Sequence, residues 1–195
     1  MSPKLQLIVG LGNPGQQYAA TRHNVGVWCI QSLCKQLHVD LKLESKFKAK
    51  IAKVNLEQQT ILLAIPTTFM NESGFPVRAL SQFYKIKPEE MLIIHDELDL
   101  PTGVARYKFD GGHGGHNGLR DILLLIDSAR FNRLRIGIGR PAHKDQVTNY
   151  VLNAPSKHDE QLITASIEKA LIELPLVVNG QIEKAMMNLH TEEKK

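Results

Sequence analysis

Two segments place ionisable side chains directly after short apolar runs. In "LIVGLGNPGQQYAATRHNVG" the run is followed by Asn13, Tyr18, Arg22, His23 and Asn24. In "MLIIHDELDLP" it is followed by His95, Asp96, Glu97 and Asp99. Imidazole titrates close to neutral pH, and a carboxylate bonded to it fixes its tautomer and stabilises its protonated form. His23 and Asp96 are therefore a candidate general base and its orienting partner, provided the fold brings the two loops together. Taken singly, a histidine such as His23 is more often a surface or capping residue than a base, and Asp96 reads also as the cap of a turn. The acidic run, with His113 and His116 of "GGHGGHNG", could also ligate a metal. No H-E-x-x-H accompanies it, and the expectation is a site without metal or cofactor.

Other chemistries lack their signatures. There is no G-x-S-x-G, and Ser73-Gly74 falls inside an expected helix, so a serine nucleophile is not indicated. Gly10, Gly12 and Gly15 spell G-x-G-x-x-G. In a dinucleotide site the third glycine opens a helix, and an acidic residue follows ~20 positions on. Here Asn13-Pro14-Gly15 is a turn signal, a polar stretch postpones the helix, and the offset lands near Lys35. The glycines are expected to let the chain turn tightly at the carboxyl end of the first strand. The loop "DGGHGGHNGLRD" is not a Walker loop, yet its glycines, Gly114 among them, let backbone approach a ligand closely. Asn117 is the expected N-cap of the helix that follows, and a helix N-terminus suits a phosphate or another polar group. In "PTTFMNESGFP", Asn71 is the expected cap of the next helix. Phe69 and Met70 pack in the core or offer a platform for an unpaired base. A histidine, an aspartate, several side-chain amides and a basic strip fit water-mediated hydrolysis without a covalent intermediate.

The composition places these residues in a globular chain. Apolar residues make up 43% of 195 and charged residues 23%, enough for one domain over 1–195 that needs no staple. No apolar run approaches the roughly 20 residues of a membrane span, and no secretory leader is evident, so a cytoplasmic protein is expected. Cys29 and Cys34 are expected to be reduced structural thiols. The net charge of +4 is local: between Pro101 and Tyr150 eight Lys and Arg face four Asp. Such a one-sided excess points to a polyanion, nucleic acid first, or to an ordinary solvated face. Arg106, Lys108, Arg135 and Lys144 are the candidate phosphate contacts, Arg106 and Lys108 sharing one strand face.

Strands are expected over Leu5–Val9, "KAKIAKVNL", "TILLAI", "MLIIHDEL", "VARYKF" and "RLRIGIG". The second and third are joined at Glu57–Gln59. Helices are expected over Val25–Leu37, Glu72–Tyr84, Gly118–Ile126 and Asp159–Leu171. A break or kink at Leu174–Pro175 precedes a last helix to His190, and "TEEKK" reads as a frayed tail over 191–195. Strands alternating with helices mean an α/β layer fold, and the adjacent strand pair makes a mixed, twisted sheet flanked by helices.

Four stretches in this order resemble the bacterial peptidyl-tRNA hydrolase family: "VGLGNPG-x-x-Y-x-x-TRHNVG", "PTTFMN-x-SG", "HDELDLP-x-G" and "GGHGGHNGLRD". "FNRLRIGIGRP" and "YVL" agree as well. The resemblance spans about Leu5 to His190. It implies a monomeric cytoplasmic enzyme without cofactor that cleaves the ester between peptide and tRNA, gripping the acceptor stem and 3′ end. It implies His23 as base, Asp96 as its orienting partner, and Asn13, Asn71 and Asn117 as substrate binders. Tyr18 and Phe69 match positions for the tRNA end, and Met70, Gly114 and His116 join the expected binding set. Asp110 stands where the family more usually has a glycine or apolar residue.

Overall fold

The computed structural model describes residues 2–191. Its framework is one seven-stranded mixed sheet in the order β2-β3-β4-β1-β5-β7-β6. The strands are β1 Leu7–Gly10, β2 Lys42–Glu44, β3 Ala49–Leu56, β4 Gln59–Pro66, β5 Met91–Glu97, β6 Ala105–Phe109 and β7 Asn132–Gly137. The centre is parallel: β1 pairs with β4 and β5, and β5 with β7. β2, β3 and β6 pair antiparallel at the two edges. The mixed sheet was expected. β2 was not, since three mostly exposed residues carry no apolar alternation.

Helices cover both faces, so β1 and all but the last residue of β5 are buried. On one side Ile8, Leu63, Leu92, Ile94, Tyr107 and Leu134 pack beneath α1 (Val25–Leu37), α5 (Lys157–Val178) and α6 (Ile182–Thr191). On the other side Leu7, Val9, Leu62 and Ile93 meet α2 (Gly74–Tyr84) and α3 (Asn117–Ile126). The two cysteines are free and buried on α1, as expected.

The loop after β1 answers the question its glycines raise. A Cβ on Gly10 would lie 2.2 Å from the Gly26 carbonyl, and one on Gly26 would lie 2.4 Å from that of Ile94. α1 therefore seats its first turn directly on β1 and β5, a contact only glycine permits. Gly15, at φ 104°, turns the chain, and two 3-10 turns, Gln16–Tyr18 and Arg22–Asn24, occupy the space before α1. The helix starts ten residues too late to hold a pyrophosphate on the third glycine.

Three expectations about ends need correction. α5 runs unbroken through Pro175, which lies in its last turn, where one missing N–H costs a single bond. The chain reverses instead at Gly180, φ 74°, where a Cβ would strike the Ser2 carbonyl. α3 is capped by the ring of His116, whose Nδ1 accepts from the backbone N–H groups of Gly118 and Leu119, and not by Asn117. α2 is not capped by Asn71. A 3-10 turn at Met70–Glu72 intervenes, and the Gly74 N–H donates to Asp121 Oδ2 at 2.7 Å. The frayed tail expected over 191–195 lies outside the described residues, except that Thr191 closes α6.

Candidate active site

β1 and β5 are parallel neighbours, with Gly10 opposite Ile94, so the loops that leave their carboxyl ends adjoin. Open α/β sheets place their sites at such ends. His23 comes from the turn before α1 and Asp96 from the end of β5. They meet with His23 Nδ1 at 2.9 and 3.0 Å from the two carboxylate oxygens. Both are buried, and both line a cleft of about 690 Å³. With Nδ1–H donated to Asp96, the remaining ring nitrogen Nε2 carries the lone pair that can take a proton.

Asp96 serves a second imidazole. His116 Nε2 donates to Asp96 Oδ1 at 2.8 Å, while its Nδ1 accepts from the start of α3. That cap fixes the His116 tautomer: Nδ1 is an acceptor, so Nε2 holds the proton. A third imidazole, His95, is fully buried, and its Nδ1–H donates to the Asp96 carbonyl at 2.7 Å. Burial, with His116 beside it, pushes His95 down to about 3, so it stays neutral. Burial favours a protonated Asp96, yet the two imidazoles outweigh it and hold this carboxyl well below the usual range. For His23, burial disfavours the imidazolium, but the Asp96 charge and hydrogen bond prevail and raise its pKa above 6.5.

The sign of the pH dependence follows. A base must be neutral imidazole to take a proton, so with His23 in that role kcat/KM should fall on the acid side with a midpoint above 6.5. Titrating initial rates against pH checks this, and a midpoint at or below 6.5 would contradict the pairing. His23 contributes stability below its unfolded pKa and loses it as pH rises through the higher folded value. Asp96 contributes stability above its unfolded value and loses it as pH falls through the depressed one.

His23, Asp96 and His116 offer ligand atoms within 4.8 Å of one another, the arrangement that could hold a metal among the described residues. Their hydrogen bonds do not fit one. His116 presents N–H toward the carboxylate, and a metal needs a lone pair there. Glu97 and His113 do not join the cluster, since Glu97 faces Arg135 at 3.9 Å and His113 Nδ1 accepts from the Gly115 N–H.

Side-chain amides complete the cleft. Asn24 holds the Asn13 backbone at both its N–H (2.8 Å) and carbonyl (2.9 Å). Asn13 Oδ1 accepts from the Met70 N–H at 2.8 Å, which leaves Nδ2 as the end Asn13 can offer a ligand. Asn117 is fixed similarly: Oδ1 accepts from Arg120, and Nδ2 remains. Asn71 and Gly114 also line the cleft. Phe69 and Met70 part ways. Phe69 is half exposed and meets Tyr18 edge-on at 6.4 Å, whereas the Met70 side chain is buried in the core, although both line the cleft.

Of the expected basic contacts, Lys144 lines the cleft, while Arg106, Lys108 and Arg135 do not. Arg106 lies opposite Arg135 in the β6–β7 ladder, so these two and Lys108 share one sheet face at the far edge. Sequence reading missed the wall formed by α4 (Val147–Val151), a single turn too short for periodicity. It also missed what Arg22 does. Its guanidinium lies 4.0 Å over the Tyr150 ring and donates to the carbonyls of Tyr150, Asn153 and Ala154, tying the His23 turn to that wall.

A buried carboxylate–imidazole pair thus lies in an amide-lined cleft at the carboxyl ends of an α/β sheet, an arrangement chemically capable of general-base hydrolysis. The peptidyl-tRNA hydrolase family model matches residues 7–195. Curated relatives named peptidyl-tRNA hydrolase include one from Coxiella burnetii, 54% identical, the match covering 98% of this chain and 100% of the relative. Another, from Stenotrophomonas maltophilia, is 52% identical over 96% and 97%. The crystal structure of a peptidyl-tRNA hydrolase from Acinetobacter baumannii superposes with TM-score 0.92 at 46% identity, covering 95% of this chain and 94% of that one. The chain belongs to the peptidyl-tRNA hydrolase family. Among its described residues no helix is long and apolar enough to cross a membrane.

Proposed function

We propose that the chain hydrolyses the ester of peptidyl-tRNA, releasing peptide and free tRNA, with water activated by His23. The observation that carries this reading is the His23 Nδ1–Asp96 contact at 2.9 Å beneath the cleft. Nε2 takes a proton from water as the water oxygen bonds to the ester carbonyl carbon. The carbonyl becomes an oxyanion, for which Nδ2 of Asn13 and Asn117 are the available donors, worth a few kcal/mol each where the geometry is right. As the carbon–oxygen bond to the ribose breaks, the His23 imidazolium returns the proton to the ribose oxygen. Asp96 holds the ring and balances its transient charge. An ester is activated enough that one positioned base and a polarised carbonyl suffice.

Tyr18 and Phe69 form the mouth that receives the RNA 3′ end, and Lys144 contributes charge at the cleft. Arg106, Lys108 and Arg135 grip acceptor-stem phosphates from the sheet edge. The protein works in this reading as a monomer of one catalytic domain, in the cytoplasm. Turnover of purified peptidyl-tRNA in excess EDTA tests it. Continued release of tRNA supports metal-free hydrolysis, while loss of activity that a divalent ion restores would transfer the chemistry to a metal.

Asn13 is expected to set selectivity. Peptidyl- and aminoacyl-tRNA share the ester, but one has an amide carbonyl beside it and the other a mostly charged amine. With Oδ1 engaged, Asn13 offers an N–H donor, which suits the carbonyl and repels an ammonium group. Asn13→Ala should narrow the ratio of kcat/KM for peptidyl- over aminoacyl-tRNA. A parallel fall with an unchanged ratio would assign Asn13 to general binding.

A further inference from the structure

His23 sits in the middle of a three-residue 3-10 turn, Arg22–Asn24, whose N-cap residue Thr21 makes no side-chain capping bond. So short an element buries no periodic face, and its two ends must hold it in place. Behind His23, Asn24 grips the Asn13 backbone at both N–H and carbonyl. Ahead of it, Arg22 grips the α4 wall. Its backbone N–H donates to the Asn153 carbonyl at 3.1 Å. Its Nη1 reaches the carbonyls of Tyr150 (3.2 Å), Asn153 (3.2 Å) and Ala154 (3.1 Å), while the guanidinium lies over the Tyr150 ring. Three carbonyls and a ring face meet one planar, permanently charged group, a combination that an ammonium group does not match. They gather where α4 ends, where carbonyls lack intrahelical donors and a cation is favoured.

Tyr150 closes a circuit. Its hydroxyl donates to the Ile138 carbonyl, just beyond β7, and the Ile138 N–H donates to the Glu97 carbonyl at 3.1 Å. Glu97 follows Asp96 in the chain. The base and its carboxylate thus each stand one residue from a contact that leads to Tyr150, Arg22 on one side and Glu97 on the other. α4 itself faces the cleft with Val147, Thr148 and Val151.

We propose that Arg22 is a positioning residue for the reaction: clamped on Tyr150 and the carbonyls that end α4, it fixes His23 against Asp96 and ties that pair to the wall of the cleft. The proposal rests on the reading that the cleft hydrolyses peptidyl-tRNA with His23 as base. Arg22 does not line the cleft, so it acts through the turn and not on the substrate.

Arg22→Gln tests this, folding being checked by melting, with Arg22→Lys as the milder change should Arg22→Gln fail to fold. The single-turnover rate on peptidyl-tRNA should drop about ten- to a hundred-fold in Arg22→Gln, because small misplacements of a catalytic group are costly. Binding of deacylated tRNA should stay nearly unchanged, and Arg22→Lys should fall between Arg22→Gln and wild type. The second readout needs no substrate: NMR titration of the His23 imidazole in the free protein. That ring faces Asp96 of β5 and the His116 ring at 5.0 Å. The Asp96 contact lifts the wild-type midpoint above 6.5, and a loosened turn should let it fall back toward 6.5 in both variants. Loss of the Arg22 charge alone would raise it, so the direction separates positioning from electrostatics. An unshifted or raised midpoint, or an unchanged rate in a folded variant, would overturn the proposal. So would weakened RNA binding at an unchanged rate, which would make Arg22 a phosphate contact. A wild type that does not turn over peptidyl-tRNA would remove the functional reading instead, and the titration would still decide whether Arg22 positions His23.

Discussion

The His23→Ala enzyme is expected to bind tRNA nearly as well as wild type and to turn over peptidyl-tRNA about 10²- to 10⁴-fold more slowly. The loss is chemical because the surroundings stay satisfied. Removing the ring leaves Asp96 still accepting from His116 Nε2, so no buried carboxylate is orphaned. The amides of Asn13 and Asn117 keep their anchors, since neither is bonded to His23. Single-turnover rates with saturating enzyme, beside Kd for deacylated tRNA, separate chemistry from binding. A variant that keeps more than about a tenth of the rate would remove His23 from the role of base.

Asp96→Asn is expected to cost roughly 10²-fold or more, for a reason visible only in the structure. Two imidazoles present N–H to this carboxylate, and both reach Oδ1. An amide has one acceptor oxygen. His116 must keep its proton on Nε2, because Nδ1 accepts from Gly118 and Leu119, so His116 claims the amide oxygen. That oxygen at Oδ1 must then be shared, while the amide NH2 takes the Oδ2 position 3.0 Å from His23 Nδ1, where its N–H opposes an Nδ1–H and favours the tautomer protonated on Nε2, the wrong one for a base. The imidazolium also loses its counter-charge. A double-mutant cycle with His116→Ala tests this. Removing His116 frees the amide oxygen for His23 and should recover part of the activity lost in Asp96→Asn. Strictly additive losses would show that the His116 contact does not govern the His23 tautomer.

The parts of this site that sequence carried are those fixed by local chemistry. An apolar run ending in glycines and turn residues announces a strand and its loop, and that placed His23 and Asp96 at strand ends. Their meeting depends on β1 and β5 being neighbours, a long-range pairing that periodicity does not encode. The family-like blocks stood in for it. Caps were misassigned because two groups competed for the same helix start. Asn117 was the better cap by residue type, but His116 reaches the α3 amides and thereby acquires its fixed tautomer. Pro175 looked like a break, yet α5 absorbs the one bond its missing N–H removes and continues to Val178. The wall at Val147–Val151 and the anchoring of Arg22 left no pattern, because one is a single helical turn and the other acts through backbone carbonyls.

The central claim is that one titrating imidazole, His23 held by Asp96, removes the proton from water. The most direct measurement is the pH dependence of the single-turnover rate of peptidyl-tRNA hydrolysis, in EDTA, for wild type and His23→Ala. The wild type should lose rate on the acid side along one limb with a midpoint above 6.5, and the residual rate of His23→Ala should lack that limb. The same acid limb persisting in His23→Ala would show that another group takes the proton.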